Sequence, residues 1–224
     1  MIDPDEALAI ILGAVRPLGA AVARLEDAEG LALAEELRAS CDLPAFDNSA
    51  MDGFAVRAAE LGGEAPASLR LAGTARAGEP GPGSLAPGEA FRIMTGAPVP
   101  EGADSIVARE RAEAGDGTVK IFEAPEPGQF IRRRGEDVRA GQRLLSPGTT
   151  IGPYEIGLLA AQGIGEVSAV RRPRVAVLSS GDELVDFRST PGPGRIRDAS
   201  GPALEAALRR WGFIVSGRST AADA

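Results

Sequence analysis

The sequence predicts an α+β protein of more than one domain, and three patterns carry that prediction. An apolar stripe at helical spacing opens the chain, between Ala7 and Val15. From Gly53 to about Phe130 the apolar runs become short and are separated by Gly, Pro and Asp, which marks a β domain. From Arg174 onward an apolar run, a helical stretch and a second apolar run spell one βαβ unit.

Asp3 before Pro4 is a helix start, with Asp5 and Glu6 placed favourably in the first turn. The helix has a broad apolar face and should end before Pro17. A second helical piece is expected over 25–29, closed by Gly30, followed by an extended segment over 31–38. Strands are expected at Phe54–Val56, Leu69–Ala72, Ala90–Met94, Ser105–Ala108 and Val119–Phe122. Pro153 opens a helix with Ile156, Leu159 and Ala160 on one face and Gly163 as its stop. The run 174–178 reads as a strand buried on both faces. Asp198 or Ser200 caps the next helix, which should turn Leu204, Ala207, Leu208 and Trp211 inward and stop at Gly212. Phe213 to Val215 begins the parallel partner strand.

Composition narrows the chemistry. The chain has 224 residues and is 44% hydrophobic, enough for packed cores, and with aromatics at 4% these must be mainly aliphatic. A net charge of -8 disfavours a diffuse grip on nucleic acid or an anionic membrane, although a local basic patch can still hold a small anion. Cys41 is the only cysteine, which excludes an internal disulfide and a Cys-based zinc cluster. Histidine is absent, so the usual general base and transition-metal ligand are missing. Carboxylates, hydroxyls, arginines, backbone amides or a hard metal ion must do the work. No apolar run is long enough to span a membrane, and Ile2-Asp3-Pro4-Asp5-Glu6 after Met1 is acidic rather than signal-like. A cytoplasmic protein that binds neither membrane nor nucleic acid is expected.

The densest cluster of short polar side chains is Pro44-Ala45-Phe46-Asp47-Asn48-Ser49-Ala50-Met51-Asp52-Gly53-Phe54-Ala55-Val56. Such a stretch suits a turn entering a strand, and by itself it can be purely structural. It is not an EF-hand: with Gly53 as the fixed glycine, Ala50 falls on a ligand position and Ala59 replaces the closing glutamate. Three further segments stand out, Arg92-Ile93-Met94-Thr95-Gly96-Ala97-Pro98-Val99-Pro100-Glu101-Gly102-Ala103-Asp104, Ile131 to Asp137, and Ser179-Ser180-Gly181-Asp182-Glu183-Leu184. Together, and in this order, the four segments resemble the molybdopterin molybdenumtransferases, the MoeA and gephyrin E-domain family.

The resemblance implies a layout. Residues 1–46 and 132–172 would form a discontinuous, helix-containing domain, with 47–131 as a small β domain inserted into it. Residues 173–224 would be the start of a three-layer α/β molybdopterin-binding domain, and the whole chain an N-terminal portion of the family's length. The family's reaction inserts molybdate into adenylylated molybdopterin and releases AMP, with Mg²⁺ or another divalent cation. It works as a homodimer, with an adenylyltransferase and molybdoenzymes as possible partners. Weak or no turnover is expected from these residues alone. The alternative is a non-catalytic dimeric scaffold of the same fold.

Residue by residue, the resemblance places Asp52, Thr95 and Asp137 among the catalytic groups. Arg132, Ser180 and Asp182 would bind substrate and Glu183 the metal. Their types fit: guanidinium and hydroxyl donors for anions, carboxylates for a hard cation. Asp182 and Glu183 follow a strand's carboxyl end, where open α/β sheets bind ligands. Asp47 and Asn48 read as holding the turn, and Arg133, Arg134 and Glu136 stay undecided. Ser180 stands where the family commonly has threonine, and Ser200 where it usually has asparagine. Cys41, Trp211 and the methionines read as core or helix-face residues.

Overall fold

The computed structural model describes residues 2–16, 18–62 and 66–223; Met1, the expected helix stop Pro17, and Ala224 lie outside them. Its elements are mixed α and β, with three α-helices and one curled sheet among short strand pairs. The chain divides into two compact units, Arg38–Leu144 and the pair of segments Met1–Leu37 and Leu145–Ala224.

The Arg38–Leu144 unit is built on a six-stranded sheet. Its spatial order is Ser105–Ala108, Gly53–Val56, Glu89–Ile93, Ala67–Ala75, Thr118–Ile121 and Ala112–Gly115. Only Ala67–Ala75 and Glu89–Ile93 run parallel; every other neighbouring pair is antiparallel. Period-2 alternation divides Gly53–Val56, Glu89–Ile93 and Ser105–Ala108 between two buried clusters. Phe54 and Val56 join Leu69, Val107, Val119 and Ile121, while Ala55 joins Ala75, Phe91, Ile93, Ile106 and Ile131. All five expected strands are present. The sixth, Ala112–Gly115, lacks the β-branched and aromatic residues that announce a strand. It exists because Asp116 (φ 52) and Gly117 (φ 75) form a hairpin turn that folds it onto Thr118–Ile121.

In the other unit, Pro4–Ala14 is helical, with the Asp3 carboxylate accepting from Asp5 N at 2.9 Å. Its apolar face is present but uncovered: no residue of the helix is buried, and Leu8, Ile10, Ile11 and Leu12 are exposed. The helix expected over 25–29 is instead a single 3₁₀ turn, Leu25–Asp27. Leu25 N donates out of the segment to Gly165 O at 2.9 Å, and left-handed Gly30 (φ 73) then turns the chain, so no α-helix can propagate. Ala20–Arg24 pairs antiparallel with Glu166–Val170, a contact its small side chains did not announce. Leu25, Leu33, Ile151, Leu159, Val167 and Ala169 form the core here, with Leu159 supplied by the Pro153–Ala161 helix.

The last part is the expected strand, helix and parallel strand: Arg174–Ser180, Ser200–Arg210 and Ile214–Ala221. Of the two candidate caps, buried Asp198 is the one whose carboxylate accepts from Gly201 N, at 2.8 Å. Two expectations fail. The Arg174–Ser180 strand is not buried on both faces; Val177 is buried and Leu178 is 65% exposed. Leu204 and Trp211 do not turn inward, and Trp211 is 70% exposed. A two-stranded sheet with one helix has no second layer among the described residues to cover the other surfaces. Cys41, Met51 and Met94, expected as core or helix-face residues, are exposed and lie outside the helices.

Candidate functional site

The stretch 44–56 threads the Arg38–Leu144 unit as a crosspiece. The Leu43–Pro44 peptide bond is cis. Asn48–Ser49 pairs on one side with Ile131–Arg132. On the other side it is bonded to the 96–99 loop, through Gly96 N to Ser49 O (2.8 Å), Ser49 N to Ala97 O (3.1 Å) and Val99 N to Asp47 O (3.0 Å). Three segments singled out in the sequence are thus stitched into one layer by backbone hydrogen bonds. Asn48 and Ser49 are buried in it, and Asn48 Nδ2 donates to Phe46 O at 3.2 Å.

Asp52 sits where this crosspiece enters the Gly53–Val56 strand. Gly53 is required there: a Cβ on it would lie 2.0 Å from the carbonyl oxygen of Val107. The close approach draws the end of the neighbouring strand alongside, and Arg109 N donates to Asp52 O at 3.0 Å. On the opposite side left-handed Gly96 (φ 79) lets the chain reverse, so Thr95 faces Asp52 with both its donors. Asp52 Oδ1 accepts from Thr95 N at 2.8 Å and from Thr95 Oγ1 at 2.9 Å. These bonds, the backbone one first, hold the Asp52 carboxyl below the usual carboxylate range, with the charge of Arg109 adding to them. Oδ2 is left without a protein donor among the described residues, and Asp52 helps to line a depression of about 120 Å³ together with Phe54, Arg92, Met94 and Arg109.

The arginine run is internally paired. Arg132 bonds Asp137 and lies 3.6 Å from Glu136, which raises its guanidinium pKa, the Asp137 bond contributing most. Arg133 bonds Asp47 at 2.6 Å, and Arg134 bonds Asp42 at 2.6 Å. Asp47 also accepts from Arg134 N, and Asp42 from Ala140 N, each at 2.8 Å. Asp47 and Asn48 therefore do hold the turn. The structure brings Asp52 together with Thr95 and Arg132 together with Asp137, with no side-chain bond between the two pairs among the described residues.

Ser180, Asp182 and Glu183 belong to the other unit, at the carboxyl end of the Arg174–Ser180 strand. Ser180 pairs with Ala221 in the sheet. Asp182 Oδ1 accepts from Asp223 N at 3.2 Å, and its carbonyl accepts from the Arg195 guanidinium. The exposed Glu183 carboxylate folds back over Gly181, where a Cβ would lie 2.8 Å from Oε2.

No group of three or more His, Cys, Asp or Glu among the described residues forms a ready metal cage. Mg²⁺ does not need one, because it commonly takes one or two carboxylates together with substrate phosphates and water. The free oxygen of Asp52, or the Glu183 carboxylate, fits that donor set.

Sequence reasoning passed over Arg92 and Arg109. The available signal was a charge inside the apolar run Phe91-Arg92-Ile93, and another immediately after the fully buried Ser105–Ala108 strand.

Comparison with known proteins accounts for this assembly of segments. A family model described as the MoeA N-terminal region (domain I and II) matches residues 2–163. The chain is 41% identical over 224 residues to molybdopterin molybdenumtransferase 2 of Mycobacterium tuberculosis, covering 99% of this chain and 55% of that protein. It is 41% identical over 177 residues to the molybdopterin molybdenumtransferase of Haemophilus influenzae, covering 79% of this chain and 43% of that one. A crystal structure of a Pyrococcus horikoshii molybdopterin biosynthesis MoeA protein superposes with TM-score 0.91 at 26% identity, covering 100% of this chain and 61% of that one. The chain belongs to the MoeA family and corresponds to its N-terminal portion. It spans about half the length of the curated relatives it matches.

Proposed function

We propose that this chain is part of a molybdopterin molybdenumtransferase, which inserts molybdate into adenylylated molybdopterin and releases AMP in the cytoplasm. One observation carries the reading: the Asp52 carboxylate is fixed through one oxygen by Thr95, its other oxygen has no protein donor among the described residues, and Asp52 lines a small depression together with Arg92 and Arg109. Because its pKa is held low, Asp52 is ionised at neutral pH and serves as an orienting or cation-binding carboxylate, not as a proton donor. Thr95 fixes the carboxylate's rotation. Arg132 and Asp137 supply a fixed charge pair that orients bound anions. Ser180 and Asp182 contact substrate, and Glu183 offers a second carboxylate to the cation. Bound Mg²⁺ would neutralise charge developing on the phosphoanhydride as AMP leaves.

The domain layout belongs to the same proposal, with 47–131 inserted between 1–46 and 132–172, and 173–224 opening an α/β domain. So does the homodimer: the bare Leu8, Ile10, Ile11 and Leu12 surface is an apolar face that a second copy would bury. Analytical ultracentrifugation should find dimers for the chain and monomers for an Ile10→Asp, Ile11→Asp variant.

The central test is AMP release from adenylylated molybdopterin with molybdate and Mg²⁺. It compares this chain, a version extended to the length of its relatives, and Asp52→Ala in the extended version. The reading expects turnover only from the extended protein, and a loss of about a hundredfold or more in Asp52→Ala. An extended protein that dimerises without releasing AMP would put the scaffold reading in its place.

A further inference from the structure

The arginines of the Arg38–Leu144 unit fall into contrasting sets. Arg57, Arg70, Arg76, Arg111, Arg132, Arg133 and Arg134 each have a carboxylate partner, whereas Arg92, Arg109 and Arg139 have none within ion-pair distance among the described residues. Of these three only Arg92 and Arg109 line the depression at Asp52, Arg92 also lining a neighbouring one with Gly73 and Gly115. The guanidiniums of Arg92 and Arg109 have no hydrogen bond or ion pair among the described residues. In a chain of net charge -8, this depression is thus lined by two arginines without an ion-pair partner and by one carboxylate. The sheet register produces it. Gly53 lies between Ile93 and Ala108, and Phe54 between Arg92 and Val107, so the two arginines arrive from the strands flanking the one that Asp52 leads into.

The two arginines are anchored differently. Arg92 stands over the Phe54 ring at 5.9 Å from its centroid, which leaves its N–H groups directed outward from the ring. Arg109 is tethered through its backbone to Asp52 O. The local balance is two positive charges against the single negative charge of Asp52, and one carboxylate oxygen is already taken by Thr95. A site of this size and charge matches a small tetrahedral dianion, whose oxygens accept forked N–H pairs.

We propose that Arg92 and Arg109 form an oxyanion cradle beside Asp52, taking a tetrahedral oxyanion of the phosphate or metalate class. The cradle deepens the transferase reading, since it places an anion next to the proposed reactive carboxylate. Its existence as a binding site is independent of turnover. Asp52 then tunes the cradle: without a divalent cation its free oxygen repels the anion, which limits affinity.

The test is equilibrium dialysis of the full chain at low ionic strength, without divalent cations, against molybdate, orthophosphate and AMP in separate arms. Arg92→Gln and Arg109→Gln should each weaken binding by about tenfold, and the double variant should abolish saturable binding. Arg76→Gln, which removes an exposed paired arginine, should stay within about twofold of the native chain. Asp52→Asn should tighten binding by about threefold or more, a gain that a merely structural role for the arginines does not produce. Circular dichroism on every variant confirms an intact fold, and Arg92→Lys, which keeps the charge, replaces Arg92→Gln should that variant unfold. A preference for molybdate identifies the metalate as occupant, and a preference for AMP over orthophosphate identifies a phosphate ester. The proposal is overturned if none of the three probes binds saturably, if the double variant binds like the native chain, or if Arg76→Gln loses as much as Arg92→Gln. Loss of AMP release with anion binding intact would remove the proposed reaction and leave the cradle standing.

Discussion

The six-stranded sheet of the Arg38–Leu144 unit and the strand–helix–strand segment from Arg174 to Ala221 use similar aliphatic residues with opposite results. In the sheet, Phe54, Ala55, Val56, Ile93, Ile106 and Val107 are all buried, because alternate residues of these three strands fall into one of two clusters. In the later segment only Val177 of its strand is buried, and Leu178, Leu204, Trp211 and Ile214 are exposed. The difference lies in layers. A strand's apolar pattern stabilises the fold only to the extent that something covers each face, and here one segment has both faces covered while the other has little more than one.

The comparison can be broken by mutation, beginning where the effect should be largest. Ile93→Ala removes a fully buried side chain from the second sheet cluster and should cost about 4 kcal/mol in urea unfolding. Gly53→Ala should come next, at about 3 kcal/mol, because the added Cβ meets the Val107 carbonyl, which cannot swing away as a side chain would. At the other extreme, Leu178→Ala should change stability by about 0.5 kcal/mol. If Leu178→Ala costs as much as Ile93→Ala, something covers that face in solution and the contrast is false.

Acid sharpens the comparison between these extremes. Asp42 and Asp47 both have carboxyls held below the usual range, chiefly by backbone N–H donors from Ala140 and Arg134, with the Arg134 and Arg133 guanidiniums assisting. Groups with lowered folded-state pKa values stay charged in the fold after the unfolded chain has begun to protonate. Their stabilisation is therefore full above about pH 4 and is lost as pH falls through the lower folded-state values. The Arg38–Leu144 unit should weaken over that range, followed by urea unfolding at stepped pH. Asp47→Asn should be less stable than the native chain at pH 7, with the two curves converging in acid. Parallel curves would show that the Asp47 bonds contribute nothing through its charge. Arg133→Gln should have the smaller effect at neutral pH, below about 1 kcal/mol, since that pair is exposed on both sides.

Much of the local structure was legible in the chain. Asp3 and Pro4 set the first helix, the short apolar runs located five of the sheet's strands, and the parallel pairing of the last two long strands followed from the helix between them. Gly163 and Gly212 were read as helix stops, and each is left-handed just past the end of its helix. These features depend on residues near one another in sequence, so spacing and side-chain type suffice to reveal them. The family resemblance added Asp52, Thr95, Arg132, Asp137, Ser180, Asp182 and Glu183 as candidate site residues.

Tertiary structure decided the rest. It assigned a partner to each arginine of the 132–134 run and left Arg92 and Arg109 unpaired at Asp52. It joined Ala20–Arg24 to Glu166–Val170 across most of the chain's length, and it exposed Trp211 where its helical position suggested burial. The physical reason is common to these cases. Sequence pattern states which face of an element is apolar and which residues carry charge, while burial and charge pairing depend on what distant segment arrives opposite. Asp52 was singled out by the motif around it in the chain; the proposed cradle beside it depends on two strands distant in the chain that flank its strand.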